Sequence, residues 1–243
     1  MAELVGFGYY AEVPGVIVDV QRVGPSTGMP TRTQQGDISF CYTLSHGDTN
    51  HILLLPTGPE ELYQLTMESF DLAERYQTPV FVMTDLDMGM NLWVSDRFEY
   101  PPNAFDRGKV LDADALKQVE EFARYKDVDG DGVPYRTLPG TRHPKAPYFT
   151  RGSGHTETAD YTEDSEEYRV VIDRIKRKID SSVAHTPKPV IEGEGDVGII
   201  HYGSTSFAVD EARDRLAADG MTTRSLRIRA LPRPKWGLQH EGV

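Results

Sequence analysis

The β-branched residues Val16, Ile17, Val18 and Val20 run almost continuously into a loop that mixes Gly, Pro, Ser, Thr and Arg. Such a run is the mark of a strand buried on both faces of a parallel sheet. Open α/β sheets bind ligands just past the carboxyl ends of their strands. Here that position holds Gln21, Arg22 and the run Gly24-Pro25-Ser26-Thr27-Gly28.

The surrounding pattern supports this architecture. Residues 3–13 read as a helix leading into the first strand, and 34–44 as a short helix. Residues 52–55 form a second buried strand. Gly58-Pro59-Glu60-Glu61 then opens a helix to about Tyr76, with proline and acids in its first turn. Residues 79–84 make a third buried strand, and strand, helix, strand at this spacing is a βαβ unit. Regularity falls away after Asp85. A helix capped by Asp112 is expected over 112–125. Residues 127–159 form a long Gly/Pro/Thr-rich segment that lacks periodic apolar residues and is therefore expected to be mobile. A charged helix over 163–182 carries Tyr168, Val171, Ile172, Ile175 and Ile179 on one stripe, suited to docking on the first unit. Residues 186–196 read as a linker by composition. Beyond it come a strand (197–202), the turn Gly203-Ser204-Thr205-Ser206, a helix (207–219) and a strand (223–230).

The net charge of −12 argues against a nucleic-acid footprint, which needs clustered cations. No apolar run is long enough to span a bilayer and no basic-then-apolar leader opens the chain, so the expected compartment is the cytoplasm. The single cysteine, Cys41, cannot hold an iron–sulfur cluster alone. It lies in a helical pattern and reads as a small buried hydrophobe in preference to a reactive thiol.

Arg22 is the leading candidate site residue. A guanidinium at the end of a strand offers a rigid fork of donors that matches a carboxylate or phosphate. The alternative is an ion pair with Asp19 or Asp37, and both readings stay open on spacing alone. The following Gly24, Pro25, Ser26 and Thr27 could form an anion cradle, though the Gly-Lys-Ser/Thr ending of a Walker A loop is missing. Asp127-Val-Asp129-Gly-Asp131-Gly132 imitates the front of an EF-hand loop, but Leu138 stands where the bidentate Glu belongs, so it reads as a hydrated acidic turn. His143 and His155 lack metal-ligand spacing and read as loop histidines near a cleft. The 203–206 turn reads as a helix N-cap that could alternatively hold a phosphate.

The stretches VDVQRVGPSTGMPTRTQQGD, HILLLPTGPEELYQLTMESFDLAERYQTPVFVMTDLDMGMN and YRTLPGT closely resemble the α subunit of 2-oxoacid:ferredoxin oxidoreductases, the 2-oxoglutarate type fitting best. The likeness runs from residue 1 to about 231. It implies a thiamine-enzyme pyrimidine-binding domain over 1–182, a linker over 183–196, and the start of a transketolase C-terminal-like α/β domain over 197–243. The activity implied is oxidative decarboxylation of 2-oxoglutarate or a related 2-oxoacid to acyl-CoA, with electrons passed to ferredoxin. The resemblance makes Arg22 the residue that grips the substrate carboxylate, with Gly24, Pro25, Ser26 and Thr27 around it. It further implies thiamine diphosphate and Mg2+ in a site completed by a β subunit, and an iron–sulfur cluster on a partner chain.

The family's Tyr-Pro-Ile-Thr-Pro-type motif and its cofactor glutamate are not found in this sequence, and the KWGLQHEGV ending departs from the family. The resemblance therefore implies a subunit truncated at both ends that binds no cofactor by itself. The rival expectation is a non-catalytic scaffold or subunit-interaction module of the same fold.

Overall fold

A computed structural model describes residues 1–26 and 28–232. Thr27 and the KWGLQHEGV ending lie outside the described residues. The protein is α/β, and its first sheet is built on three parallel strands. Helix α1 (Ala2–Tyr10) leads into β1 (Gly15–Gln21). The short α2 (Ile38–Tyr42) precedes β2 (Ile52–Leu54), and α3 (Pro59–Tyr76) joins β2 to β3 (Pro79–Asp85). The strand order is β1-β3-β2 followed by the late strand β7 (Ala230–Leu231). β1 and β2 both pair in parallel with β3, in the registers Val18↔Val82 and Leu53↔Phe81.

Alternation divides the core between the two faces of this sheet. Ile52, Leu54, Val80 and Val82 meet Leu65, Leu72, Ala73 and Tyr76 of α3 on one face. Leu53, Leu55, Phe81 and Met83 meet Val5, Cys41 and Leu44 on the other. Burying each such large side chain stabilises by about 1.5–3 kcal/mol. All seven residues of β3 are buried, which makes it the central strand. β1 is an edge strand, and this corrects the expectation drawn from its composition. Val16 packs against the α3 side of the core, but Val18 and Val20, further along this edge strand, are 54% and 44% exposed.

After β3, α4 (Leu86–Met90) is a single turn capped by the Asp85 carboxylate, which accepts the Met88 N–H. The helix expected over 112–125 shrinks to α5 (Ala115–Gln118). Asp112 does cap it, accepting from Ala115 N, but Val119 turns extended and Lys145 donates to the carbonyls of Val119 and Glu120 at 2.5 and 2.9 Å.

Residues 127–159 are tied down by polar side chains in place of regular structure, against the expectation of mobility. Gln77 donates to Pro134 O at 2.6 Å, Thr137 to Ala146 O at 2.7 Å, and Arg136 pairs with Glu74. His155 is fully buried, lying against the Tyr10 and Tyr125 rings, and is thus a core histidine and not a cleft residue. The charged helix α6 (Ser165–Ser182) is capped by Asp164 and docks Val171, Ile175 and Ile179 against Tyr9.

The remaining chain forms a second sheet of order β4-β6-β5. Its members are β4 (Val190–Glu192), β5 (Val197–His201) and β6 (Thr223–Arg227), with α7 (Thr205–Ala218) between β5 and β6. β4 falls within the stretch that composition marks as linker. The strand expected to run from 223 to 230 divides: β6 stays in the second sheet, while β7 crosses back to pair antiparallel with β2. Glu61 fastens this crossing, accepting from Arg227 and Arg229 at 2.6 Å each. Among the described residues no helix is long and apolar enough to cross a membrane.

Candidate functional site

The carboxyl ends of β1, β3 and β2 converge on one rim, the usual place for a ligand in such a sheet. The rim is built by the loop following β1, by Asp85 at the end of β3, by Leu55-Pro56-Thr57 after β2, and by the Tyr202–Thr205 turn of the second sheet. At its base the buried Gln21 side chain donates to Thr84 O at 3.4 Å and accepts from Asp37 N at 3.5 Å. Val23 N donates to Arg32 O at 3.1 Å, closing the loop across its middle.

Within the loop, Ser26 and Thr31 each hold a left-handed φ of 56°, a conformation that costs a residue with a side chain on the order of 1 kcal/mol. A Cβ on Gly28 would stand 2.7 Å from Gly24 O, so a glycine is required there by the close approach of the two chain segments. Gly24, Pro25 and Ser26 are exposed at the rim alongside Arg22.

Arg22 is exposed, and none of the ion pairs among the described residues uses it. The alternative in which Asp19 or Asp37 neutralises it is therefore not what the structure holds. Asp19 keeps one carboxylate oxygen buried without a hydrogen bond, and burial with the nearby Asp37 charge pushes its pKa up to about 6. Burial, with Asp19 and Asp37 adding to it, raises the Cys41 thiol to about 12. That suits a buried hydrophobe and leaves no reactive thiolate.

The other motifs resolve differently from the rim. In the acidic turn, Asp127 accepts from the N–H groups of Gly130 and Gly132 and pairs with Arg177, while Lys109 bridges Asp129 and Asp131 at 2.7 and 2.8 Å. Among the described residues no group of three or more His, Cys, Asp or Glu is placed to hold a metal ion. Ser204 does not cap α7 with its side chain; its hydroxyl donates to Asp85 Oδ2 at 2.5 Å and so ties the second sheet to the rim.

One polar cluster escaped the sequence reading. Glu12, fully buried beyond α1, pairs with Arg174 and Lys178 of α6 at 2.5 and 2.7 Å, and Arg124 donates to its carbonyl. The signal was present: 174 and 178 fall on the same helical face as Val171, Ile175 and Ile179. Cations on an apolar stripe imply a buried acid elsewhere.

Fold and rim together define an α/β domain that presents a strained, arginine-bearing loop at the carboxyl edge of a parallel sheet. Residues 1–167 match the family model described as "Pyruvate flavodoxin/ferredoxin oxidoreductase, thiamine diP-bdg". The chain belongs to that family. It is 31% identical over 237 residues to 2-oxoglutarate synthase subunit KorA of Methanocaldococcus jannaschii, an alignment covering 94% of this chain and 59% of the relative. It is also 31% identical to 2-oxoacid:ferredoxin oxidoreductase 2, subunit alpha, of Aeropyrum pernix, covering 95% of this chain and 36% of that one. The solved 2-oxoglutarate:ferredoxin oxidoreductase from Magnetococcus marinus, with 2-oxoglutarate, coenzyme A and succinyl-CoA bound, superposes with a TM-score of 0.86 at 30% identity. That match covers 96% of this chain and 40% of the other. The chain thus spans between about a third and three-fifths of these relatives.

The cofactor in the family's description carries a diphosphate, which proteins bind through a hard divalent cation held by oxygen ligands. The carboxylates of the acidic turn are committed to Lys109, Arg177 and backbone N–H groups. That turn does not fit a metal-diphosphate site.

Proposed function

We propose that this chain carries the substrate-side loop of the α subunit of a coenzyme A-dependent 2-oxoacid:ferredoxin oxidoreductase. The reaction is oxidative decarboxylation of 2-oxoglutarate or a related 2-oxoacid to acyl-CoA. The observation that supports this best is Arg22: an exposed guanidinium at the end of a parallel strand, in a strained loop, without an ion pair among the described residues. An arginine kept open in that way is available to a substrate carboxylate.

In this reading Arg22 receives the carboxylate of the 2-oxoacid in a forked pair of hydrogen bonds and fixes the neighbouring keto carbon in one orientation. When the carboxyl group leaves as neutral carbon dioxide the bonding electron pair stays with the former keto carbon and the carboxylate charge is gone, so the grip of Arg22 loosens as the bond breaks. Gly24, Pro25, Ser26 and Thr27 are the substrate-binding residues of this reading beside Arg22. Thiamine diphosphate with Mg2+ belongs to a site completed by the β subunit, the iron–sulfur cluster to a partner chain, and ferredoxin accepts the electrons. The division into a pyrimidine-binding unit over 1–182, a linker over 183–196 and the start of a further unit over 197–243 is part of the same proposal. So is a cytoplasmic location.

The test is an assay of this α chain assembled with its β partner. Reduction of ferredoxin or a dye that requires both a 2-oxoacid and coenzyme A is the expected result. Reduction that proceeds without either, or none with any 2-oxoacid, contradicts the proposal.

A further inference from the structure

The loop that carries Arg22 runs from Gln21 to Asp37 and is mostly exposed, so its order must come from a few contacts. Besides the bonds at its base and across its middle, the fastening point among the described residues is Gln35. The Gln35 side chain donates from Nε2 to Tyr202 O at 3.1 Å and accepts from the Thr205 hydroxyl at 2.7 Å. Its backbone carbonyl accepts from the Tyr202 hydroxyl at 3.0 Å. One residue therefore engages the turn between β5 and α7 through three separate groups.

The turn is itself held to the strand ends. Thr57 donates to Gly203 O at 2.8 Å, Ser204 donates to Asp85, and Ile228 N donates to His201 O at 2.9 Å. Gly203 has a φ of 62°, and a Cβ there would stand 2.8 Å from Gln35 Nε2. The missing side chain at 203 thus makes the space that the Gln35 amide uses. Gln34, the neighbouring exposed glutamine, makes no such contact among the described residues.

We propose that Gln35 is a positioning residue, fastening the Arg22 loop to the Tyr202–Thr205 turn so that the arginine's hold on the substrate carboxylate depends on the second sheet. The substrate half of this inference rests on the role proposed for Arg22. The geometry makes the second sheet a brace for the site, since a shift of that turn drags three hydrogen bonds of the loop with it. A displacement of about an ångström at a positioning contact is enough to lower an enzyme's rate substantially.

Two measurements test it. In the chain itself, trypsin should cut after Arg32 several-fold faster in Gln35→Ala and in Gly203→Ala than in the unaltered chain or in Gln34→Ala, with the thermal midpoint of Gln35→Ala unchanged. In the assembled enzyme, Gln35→Ala and Thr205→Val should raise KM for the 2-oxoacid about tenfold while leaving KM for coenzyme A unchanged. Thr205→Ser, which keeps the hydroxyl, should restore most of the loss. Equal cleavage rates in all four chains overturn the fastening, and so does a rise in both KM values together. An unchanged KM in Arg22→Ala overturns the arginine's role and with it the link to substrate, whichever way the cleavage rates fall.

Discussion

Glu12 has the most demanding environment of any single residue in the protein. Its φ is 57°, its carboxylate is fully buried against Arg174 and Lys178, and a third cation, Arg124, donates to its backbone carbonyl. Burial opposes ionisation, but the charges of Arg174 and Lys178 and the Arg174 hydrogen bonds outweigh it, holding the carboxyl well below the ordinary carboxylate range. Burial pushes Lys178 down to about 8, an effect the Glu12 charge offsets only in part. Removing one member strands the others in a medium that solvates charge poorly. Glu12→Ala should therefore cost about 3–5 kcal/mol in denaturant unfolding. The pH dependence follows from the sign of the shift. A carboxyl with a depressed folded pKa binds fewer protons folded than unfolded. Its contribution is complete above its unfolded value, 4.5, and is lost as the pH falls toward the folded one. Unfolding midpoints measured from pH 7 downward should fall steeply below about pH 4.5. In Glu12→Ala that part of the slope should be absent; an unchanged slope would mean the cluster is not ionised.

At the scale of elements, the strands and long helices could be read from the residues because local pattern and tertiary role agree. Leu53 and Phe81 fall on one face while Leu54 and Val82 fall on the other, and both faces are covered. β1 shows the limit of that reasoning. Its composition matches β3, but only the strand order decides which is central, and Val18 and Val20 are left exposed. Residues 127–159 were obscure for the opposite reason. What orders them is single long-range polar contacts such as Gln77 to Pro134 and Arg174 to Gly132, which leave no periodic trace. The Gly132 turn shows how tightly this segment is seated. Its φ is 84°, and a Cβ there would collide with the backbone of Arg174 and Lys178 in α6. Gly132→Ala should destabilise by about 2 kcal/mol or more, adding backbone strain to the clash. A change within ±0.5 kcal/mol, the range of an ordinary surface substitution, would show that α6 and the turn are free to move apart.

At the scale of the whole molecule, the rim is shared between two sheets. β7 enters the first sheet from the second, Glu61 anchors the crossing, and the Tyr202–Thr205 turn meets the Arg22 loop. The position of Arg22 and its partners in the loop was legible because a strand end followed by Gly, Pro and Ser has a local signature. The contribution of Gln35, Asp85 and Ser204 was not, since each acts across more than a hundred residues of chain. The carboxylates of the acidic turn are engaged by Lys109, Arg177 and backbone N–H groups, and a consequence is measurable: calorimetry of this chain with thiamine diphosphate and Mg2+ should show no binding in the low micromolar range. Binding of that strength would place the diphosphate at the acidic turn, with Asp129 and Asp131 released from Lys109.

On the proposed reading, Arg22 is held open to receive a 2-oxoacid carboxylate. The direct measurement is kcat/KM for the 2-oxoacid in the assembled enzyme, compared between the unaltered α chain and Arg22→Ala. Loss of a charge-assisted pair made to the reacting substrate predicts a fall equivalent to roughly 2–4 kcal/mol, with KM for coenzyme A unaffected. A fall of no more than about a factor of two, well under 1 kcal/mol, would rule out that role for Arg22.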